Sequence, residues 1–351
     1  MLTDKRVVIT GGTGSLGKTL LRRIMSNEFG KPSKVVVFSR DEAKQHDIRT
    51  QYLHKAFATD EIAYSNFERL LEFQIGDVRD YASVASALSG ADIVFHAAAL
   101  KQVPACEYFP FEAIQTNLIG AQNIVRAIRE RDLPIETVVG ISTDKAVNPV
   151  NVMGMTKALQ ERLLIRANLD RPNTRFIVVR YGNVLASRGS VIPLFHHQIR
   201  AGGPVTLTDR RMTRFLLSLD EAVDTIFAAV KNGRRGEIFV PRVMSANIAD
   251  LAEALIDGRD IPINVTGIRP GEKLHEVLVS REEAFRTRNN GDFYAIAPLL
   301  PEIAVDSGPI VLDDEYSSGS PVVSKEEVKA MLVRRRLMLE DVAGEQGELL
   351  R

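Results

Sequence analysis

The residues best suited to chemistry follow an apolar run near the middle of the chain. The run 137–141 (TVVGI) predicts a buried parallel strand, and Ser142, Thr143, Asp144 and Lys145 come directly after it. Open α/β sheets bind their ligands at the carboxyl ends of parallel strands. A hydroxyl, a carboxyl and an amine there offer a hydrogen-bond donor, a general acid and a general base in one small volume. A plain polar exit from a strand into a loop is the alternative interpretation.

Length and composition describe an ordinary globular chain. Its 351 residues are 45% hydrophobic and 26% charged, enough for a full core and for two lobes. Lys+Arg and Asp+Glu both number 45, so the zero net charge creates no overall field that favours nucleic acid or an anionic membrane. Cys106, the single cysteine, excludes an internal disulfide and a cysteine-rich metal site. We expect a cytoplasmic protein with no metal site.

The N-terminus and the longest apolar runs predict no membrane segment. The first ten residues, MLTDKRVVIT, lack the apolar core of a signal peptide. No apolar run approaches the ~20 residues that are needed to cross a bilayer. A membrane span is therefore not expected.

A glycine-rich turn between a predicted strand and a predicted helix opens the chain. The β-branched run 6–10 (RVVIT) precedes 11–17 (GGTGSLG), after which apolar residues repeat at helical spacing over 16–24. The spacing is GxxGxxG, and such glycines let the backbone turn tightly and approach a pyrophosphate at the helix N-terminus. The turn predicts a dinucleotide site. Its contacts are predicted at Gly11, Thr13, Gly14, Ser15, Leu16 and Gly17.

The end of the next strand predicts which dinucleotide is bound. Ser39, Arg40, Asp41 and Lys44 follow the run 34–38 (KVVVF), about 20 residues beyond the glycine turn, where the adenine ribose is read. The guanidinium of Arg40 suits a 2′-phosphate, with Ser39 and Lys44 in support. NADP is favoured over NAD. Asp41 keeps NAD open as an alternative, and a solvated Arg40 is the other interpretation.

Later strand ends and one helix supply further predicted cofactor contacts. The strands 71–75 and 93–95 end in GDVR and HAAA, and the helix predicted over 111–131 contains an asparagine and a glycine that helix interiors disfavour. The predicted contacts are Asp77, Val78, Ala97, Ala98, Ala99, Lys101, Asn117 and, from the helix predicted over 151–167, Lys157. A helix N-cap is the alternative role for Asp77. His96 is better explained as a hydrogen-bonded strand-end histidine than as a catalyst.

The order of these elements predicts an α/β fold with a Rossmann-type, doubly wound parallel sheet and a smaller C-terminal substrate-binding lobe. We assign 1–182 to the dinucleotide-binding domain, with 214–240 returning to it. Residues 183–213 and 241–300 form the predicted substrate-binding lobe. Residues 301–351 form a C-terminal extension, in which the capping-box sequence SKEE at 324–327 begins a terminal helix that docks or oligomerises.

Several longer motifs together resemble one family. Besides the glycine turn, they are FSRDEAKQ at 38–45, GDVRD at 76–80, HAAALKQVP at 96–104, STDKAVNPVNVMGMTK at 142–157, RYGNVLASRGSVIPLF at 180–195, MTRF at 212–215 and RPGEKLHE at 269–276. This set resembles the nucleotide-sugar 4,6-dehydratases of the extended short-chain dehydrogenase/reductase superfamily, which act in bacterial polysaccharide biosynthesis. The resemblance covers nearly the whole chain to about residue 300. It implies a UDP-N-acetylglucosamine substrate.

The resemblance also implies a role for each residue after the central strand. Hydride passes from carbon 4 of the sugar to NADP, water is lost across carbons 5 and 6, and the hydride returns to carbon 6, giving a UDP-2-acetamido-2,6-dideoxy-4-hexulose. Lys145 then removes the proton from carbon 5, Asp144 protonates the leaving hydroxyl, and Thr143 hydrogen-bonds the oxygen on carbon 4. A lysine base must be neutral when it accepts a proton, and burial or a nearby cation such as Lys157 is expected to favour this.

Met153 departs from the usual pattern of the superfamily. Much of the superfamily has tyrosine at this position, four residues before Lys157, whereas a thioether cannot accept or deliver a proton. A methionine is also found here in a subset of these dehydratases. Two other functions stay open: an NAD(P)-dependent nucleotide-sugar 4-epimerase or reductase, which does not need an acid and a base at 144 and 145, and a non-catalytic protein that binds NADP or a nucleotide sugar.

The loops beyond the predicted sheet supply the expected substrate contacts. Polar and basic groups on such loops suit the clamping of a diphosphate, although a solvated surface position is the alternative for any single arginine. The expected contacts are Lys101, Asn183, Arg188, Val191, Thr208, Arg214, Arg269 and Glu272. The partner is therefore expected to be a UDP-sugar, and the protein is expected to form a homo-oligomer.

Overall fold

The structure is a computed structural model that describes residues 1–53, 67, 69–185, 190–304 and 309–341. Strands run over β1 Arg6–Thr10, β2 Lys34–Ser39, β3 Leu71–Ile75, β4 Ile93–His96, β5 Thr137–Thr143, β6 Arg175–Tyr181, β7 Asn183–Val184, β8 Val205–Leu207, β9 Thr213–Leu217, β10 Ile238–Pro241, β11 Ser245–Asn247, β12 Ile263–Val265, β13 Val277–Val279, β14 Thr287–Asn290, β15 Phe293–Ile296 and β16 Tyr316–Ser317.

Helices lie between most of these strands. They are α1 Ser15–Met25, α2 Glu42–Leu53, α3 Tyr81–Ala87, α4 Val103–Tyr108, α5 Pro110–Ala113, α6 Gly120–Glu130, α7 Val152–Asp170, α8 Val191–Arg200, α9 Leu219–Asn232, α10 Ile248–Ile256, α11 Arg281–Ala284 and α12 Lys325–Arg334, with a π-helix at Ile114–Ile119 and a 3₁₀ turn at Asp144–Ala146. Within the part of the chain that the structure describes, no helix is both long and apolar enough to span a membrane.

One nine-stranded sheet forms the centre of the molecule. Its order is β14-β15-β10-β6-β5-β4-β1-β2-β3. The strands from β3 to β10 pair in parallel, whereas β15 and β14 are antiparallel additions at one edge. The sequence order reverses between β1 and β4, as in a doubly wound fold. The predicted Rossmann-type sheet is confirmed.

Alternating apolar side chains explain why these strands are buried on both faces. Val7 and Ile9 of β1 pack into a cluster with α1 and α9, whereas Val8 packs into a second cluster with α3, α6 and α7. Because successive residues of a strand point to opposite faces, an uninterrupted run of Val and Ile fills both clusters. The sheet is thereby held between two layers of helices, and its strand ends are fixed relative to one another.

The smaller lobe has its own core and is built around short strands. β11, β9 and β7 form a three-stranded sheet, and β12 pairs with β8. Its apolar cluster joins α8, α10 and α12, and Val328, Met331 and Leu332 of α12 are buried in it. Ser324 and Glu327 form the predicted capping box at the start of α12. The terminal helix therefore docks on the lobe.

Three predicted domain boundaries differ from the structure. The strands β14 and β15, predicted in the lobe as part of 241–300, extend the large sheet, because β15 pairs with β10 from Ile238 to Pro241. β9, predicted to return to the first domain as part of 214–240, pairs with β7 and β11 of the lobe instead. The C-terminal extension is not separate, since β16 pairs with β13. Each of the three boundaries is set by strand pairing between segments that are distant in sequence.

The predicted helix over 111–131 is a helical run with a π-helical segment inside it. Asn117 lies in that segment, and its side chain bonds the backbone N–H of Leu100 at 2.8 Å, the carbonyl of Leu100 at 3.0 Å and the hydroxyl of Thr156 at 3.0 Å. A Cβ at Gly120 would come within 2.8 Å of Val78 Cγ2. The two residues disfavoured in a helix therefore mark close contacts with neighbouring elements.

A buried ion cluster links the large sheet to the C-terminal part of the chain. The guanidinium of Arg180 on β6 is 2% exposed and donates to Glu161 of α7 at 2.6 Å, to Glu283 of α11 at 2.7 Å and to the carbonyl of Leu278 at 2.8 Å. Glu161 also accepts a hydrogen bond from Ser142 at 2.5 Å. The cluster fixes β5, β6, α7 and α11 to one another behind the strand ends.

We predict that Arg180→Met lowers the free energy of unfolding by about 3–5 kcal/mol, because it leaves two buried carboxylates without their cation. Urea denaturation measures the change. Arg166→Met on α7 is the matched control, since Arg166 pairs with Asp170 at 2.8 Å in an exposed position and such pairs contribute little. Equal unfolding midpoints for the two variants would contradict the prediction.

Candidate active site

The carboxyl ends of the central strands open into one cavity of about 580 Å³. Its lining contains Gly11, Thr13, Gly14, Ser15, Leu16, Gly17, Phe38, Ser39, Arg40, Asp41, Lys44, Gly76, Asp77, Val78, Ala97, Ala98, Ala99, Leu100, Lys101, Gln102, Thr116, Ile141, Ser142, Thr143, Lys145, Met153, Lys157, Tyr181, Gly182, Asn183, Val184, Ser190 and Leu219. The structure thus brings nearly all the predicted cofactor residues together with Thr143, Lys145, Met153 and Lys157.

The glycine turn after β1 shapes one end of the cavity. Gly11 has a φ of +69°, and a Cβ on it would come within 2.6 Å of the backbone N of Ala98. A Cβ on Gly17 would come within 2.5 Å of Gly12 Cα. Gly14 precedes α1, which has no side-chain cap and no acidic residue in its first turn. The N–H groups at this helix start are therefore suited to an anion such as a pyrophosphate.

The ends of β2 and β3 place charged groups at the same side of the cavity. Arg40 lies 3.7 Å from the carboxylate of Asp77 and is 57% exposed in its side chain. Arg79 donates to the same carboxylate at 2.7 Å. Burial raises the pKa of Asp77, but hydrogen bonds and charge from Arg79, with a smaller effect of Arg40, hold that pKa below its ordinary value. Asp41 is paired with Lys44. Of the two cations Arg40 and Lys44, Arg40 is therefore the more accessible to a ligand.

The three central residues differ in their access to the cavity. Thr143 and Lys145 line it, whereas Asp144 is fully buried behind them and does not. One oxygen of Asp144, Oδ1, accepts from the Thr143 hydroxyl at 2.8 Å and from the Lys145 ammonium at 3.0 Å. The other oxygen, Oδ2, is buried without a hydrogen-bond partner among the described residues. The expected hydroxyl, carboxyl and amine are thus within one hydrogen-bonded group.

Glu276, which was not predicted as a site residue, completes this group. Its Oε1 lies 3.5 Å from Lys145 Nζ and 3.9 Å from Arg214 Nε. Burial lowers the pKa of Lys145, but the carboxylates of Asp144 and Glu276 outweigh it, so the pKa lies above its ordinary value. The free protein therefore holds Lys145 as an ammonium ion.

Lys157 does not act on Lys145 in the way that we expected. The cation that opposes the two carboxylates at Lys145 is Arg214. The amine of Lys157 donates instead to the carbonyl of Ile141 and to Gln160 at 2.6 Å. Burial lowers the pKa of Lys157 to about 8, against the opposing effect of Glu161. The expectation was wrong because the sequence could not show which way the side chain on the helix points.

Met153 lies at the cavity, and the position of His96 agrees with the sequence interpretation. Met153 is buried at the cavity, in contact with a small apolar cluster that includes Cys106 and Ala113. His96 is fully buried, and its Nδ1 lies 2.8 Å from the hydroxyl of Thr10. Burial, with a smaller effect of Lys157, lowers the pKa of His96 to about 3, so the imidazole is neutral at ordinary pH. His96 is a strand-end residue and does not line the cavity.

The predicted substrate residues are only partly brought together. Lys101 and Asn183 line the cavity, whereas Arg188 lies outside the described residues. The guanidinium of Arg214 is turned to the carbonyls of Thr213 and Leu274, at 2.7 and 3.1 Å. The remaining predicted contacts, which do not line the cavity, are Val191, Thr208, Arg269 and Glu272. Asn117, a predicted cofactor contact, lies behind Leu100 instead of at the cavity.

Metal binding finds no support in the described ranges, where no group of three or more His, Cys, Asp or Glu side chains is suitably placed. Glu276 is the site residue that was missed. It lies in a motif quoted above, at the end of RPGEKLHE. Only the fold shows that residues 145 and 276 meet.

Comparison with known proteins gives the family. A family model described as polysaccharide biosynthesis protein matches residues 7–298. The chain belongs to the polysaccharide biosynthesis protein family. A similar relative from Rickettsia canadensis, named UDP-glucose 4-epimerase, is 44% identical over 355 residues that cover 97% of this chain and 99% of that protein. One of the same name from Rickettsia prowazekii is 43% identical over 346 residues, which cover 95% and 96%.

Solved structures confirm the Rossmann-type α/β fold. Pen from Bacillus thuringiensis is 34% identical, with a TM-score of 0.84 over 96% of this chain and 99% of that chain. DesIV from Streptomyces venezuelae, a dTDP-glucose 4,6-dehydratase solved with NAD and TYD bound, is 22% identical, with a TM-score of 0.64 over 77% and 86%. At that identity the second likeness concerns the fold alone.

The start of α7 gives a prediction about how the site is held. A Cβ on Gly154 would lie 2.2 Å from the carbonyl oxygen of Lys145. Gly→Ala normally stabilises a helix. Here we predict that Gly154→Ala destabilises the fold by about 1–3 kcal/mol, since the 145 backbone must move. Chemical denaturation is the measurement, and Met155→Ala at the next, exposed position is the control. A more stable Gly154→Ala protein would contradict the prediction.

Proposed function

We propose that the protein is an NADP-dependent 4,6-dehydratase that acts on UDP-N-acetylglucosamine. The observation that carries the proposal is the hydrogen-bonded pair of Asp144 and Lys145 at the end of a cavity suited to a dinucleotide. Met153 lines the same cavity at the position where much of the superfamily has tyrosine. Loss of water across two carbons requires a base for one and an acid for the other. The sugar nucleotide itself follows from the motif resemblance described above.

The cavity fits a dinucleotide on the chemistry of its lining. The glycine turn and the uncapped start of α1 would hold the pyrophosphate, Arg40 with Ser39 and Lys44 would hold a 2′-phosphate, and the small side chains of 97–99 would face a flat ring. When bound, the cofactor supplies a hydride acceptor that also returns the hydride. The residues of the chain then have only to orient the sugar and to move two protons.

The ion pair of Asp144 and Lys145 holds the number of protons that the proposed reaction needs. A lysine base must be neutral and a carboxylic acid must be protonated, and moving one proton along the 3.0 Å hydrogen bond from Lys145 to Asp144 produces both. The proton moves within the hydrogen-bonded pair, so none has to be taken from solvent. After Lys145 accepts the proton from carbon 5 and Asp144 loses its own, the ion pair is restored.

The burial of Asp144 changes how its proton reaches the substrate. Since Asp144 does not line the cavity and Thr143 does, the Thr143 hydroxyl would accept the proton of Asp144 and donate its own to the leaving hydroxyl on carbon 6. The same hydroxyl was expected to bind the oxygen on carbon 4. In this arrangement Thr143 and Lys145 contact the sugar, and Asp144 acts through them.

A UDP-sugar 4-epimerase is the second candidate, and the names of the Rickettsia relatives favour it. Epimerisation at carbon 4 needs proton transfer at the oxygen on that carbon only. The dehydratase is preferred for this chain because Met153 provides no proton donor at the cavity, whereas Lys145 and the Asp144 carboxyl behind it provide an acid–base pair. The mass of the product separates the two candidates.

We predict that incubation of the protein with NADP and UDP-N-acetylglucosamine gives a product lighter by one water. Substrate deuterated at carbon 4 should give product deuterated at carbon 6, with no lasting absorbance from reduced cofactor, because the hydride is returned. Mass spectrometry and NMR of the product measure both. Lys145→Ala should lower the rate by roughly 10²–10⁴, as for loss of a positioned base.

Other product patterns would contradict the dehydratase. A product of unchanged mass with the opposite configuration at carbon 4 would establish the epimerase instead. Deuterium that is found in solvent or back at carbon 4 would exclude hydride return to carbon 6. Lys325→Ala is a useful control, because Lys325 is an exposed lysine paired with Glu253 at 2.6 Å and it does not line the cavity.

Arg40 gives a separate prediction about the cofactor. Arg40→Gln should weaken the binding of NADP more than that of NAD, by roughly 10-fold to 100-fold, since a hydrogen bond to a charged group contributes about 1.5–3 kcal/mol. Titration of cofactor fluorescence or calorimetry with both dinucleotides measures it. Arg79→Gln is the control, since Arg79 binds the same Asp77 carboxylate but does not line the cavity. Equal losses for NADP and NAD would show that Arg40 does not read the 2′-phosphate.

A further inference from the structure

The Lys145 ammonium is held by two carboxylates from distant parts of the chain. Asp144 lies next to it in sequence, and Glu276 comes from the loop that leads into β13. The Nζ atom is 3.0 Å from Asp144 Oδ1 and 3.5 Å from Glu276 Oε1. Lys145 lines the cavity, whereas neither carboxylate does. Glu276 is therefore placed to act on substrate through Lys145 and not by direct contact.

The surroundings of Glu276 fix its carboxylate in place. The residue is 2% exposed, and its backbone N–H and carbonyl are bonded to the hydroxyl and the N–H of Ser318 at 2.9 and 2.8 Å. The loop before it is joined to the central segment by Asn151, which donates to the carbonyl of Gly271 at 2.9 Å. These contacts hold the carboxylate of Glu276 against Lys145.

One of the two carboxylate oxygens of Glu276 faces Lys145, and the other, Oε2, is buried without a hydrogen-bond partner among the described residues. A buried carboxylate with an unsatisfied oxygen is costly, and such groups persist where they serve a site. Arg214 is the cation next to it, at 3.9 Å, too far for a hydrogen bond. The Glu276 carboxylate is therefore closer to the Lys145 ammonium than to the Arg214 guanidinium.

The other charged groups around Lys145 do not replace Glu276. Arg214 on β9 and Lys273 on the 269–276 loop are cations, and they lower the pKa of a neighbouring ammonium. Lys157 on α7 lines the same cavity but is bonded to Ile141 and Gln160. The described carboxylates that raise the pKa of Lys145 are those of Asp144 and Glu276.

We propose that Glu276 is a positioning residue of the reaction: it holds the Lys145 amine at the cavity and stabilises the ammonium that forms when this amine takes up the proton of carbon 5. The inference rests on the proposed dehydratase function. In that step the C5–H bond breaks, its electron pair enters the enolate of the 4-ketone, and a new N–H bond forms on Lys145. Positive charge develops on the nitrogen, where a fixed carboxylate stabilises it.

The proposal requires two effects in Glu276→Gln. Without the carboxylate, the ammonium is less stable, so the pKa of Lys145 falls. The falling limb of the pH–rate profile, where Lys145 loses its proton to solvent, then moves to lower pH by about 1–3 units. The rate on the plateau below that limb falls by roughly 10-fold or more, because the amine is no longer held at the cavity. Release of water from UDP-N-acetylglucosamine up to about pH 11 measures both.

Two further variants separate this role from a merely structural one. Glu276→Asp keeps the charge, so its limb should stay closer to that of the unmodified protein than the limb of Glu276→Gln does. Glu237→Gln is the matched control, because Glu237 is also buried and bonded to an arginine, Arg288, at 2.9 Å, but lies outside the cavity lining. Its loss lowers stability without moving the limb. An unmoved limb in folded, active Glu276→Gln protein would overturn the inference.

A direct titration of Lys145 keeps the test independent of the proposed reaction. NMR of protein labelled in its lysine side chains, with the Lys145 signal assigned through Lys145→Arg, gives its pKa in the full chain. A lower value in Glu276→Gln supports the inference, and an unchanged value overturns it. If the unmodified protein releases no water from the sugar nucleotide, the proposed function fails, and the titration alone decides whether Glu276 controls Lys145.

Discussion

The central constraint on this molecule is the contact of a partly buried lysine cation with two buried carboxylates at the end of a parallel strand. A charge can be removed from water only if opposite charges and hydrogen bonds replace the lost solvation. Asp144 and Glu276 provide that replacement for Lys145. Much of the lobe can be understood as what is needed to bring the second carboxylate there, because Glu276 lies some 130 residues further along the chain than its partner.

The connection between the two lobes follows from this requirement. The loop 269–276 reaches the central segment through Asn151 and Lys273, and it continues into β13, whose pairing with β16 carries the chain on towards α12. Arg180 performs a similar task deeper in the sheet, where it ties α7 to α11. The site is thus assembled from segments that no local preference could bring together, and its geometry depends on both lobes being folded.

The sequence predicted the parts of the structure that depend on local patterns. The parallel strands, the glycine turn before α1 and the capping box at Ser324 have local physical causes, and the structure agrees with each. The edge strands β14 and β15 and the contact between Lys145 and Glu276 depend on pairings between remote segments. The sequence also could not show the direction of side chains. Lys157 was therefore expected beside Lys145, whereas it is bonded to Ile141 and Gln160.

The π-helical segment at Ile114–Ile119 has a consequence for how this fold can vary. A π-turn holds one residue more than an α-turn, so it amounts to an insertion that the helix has absorbed without breaking. Because the widened turn absorbs the extra residue, the residues of α6 that follow keep the faces that a regular helix would give them. Loss of one residue here would restore regular α-helical hydrogen bonds and leave α6 in place, but it would remove the widened turn from which Asn117 reaches Leu100. This part of the helix can therefore change in length without displacing the elements that follow it, with loss of the Asn117 contacts.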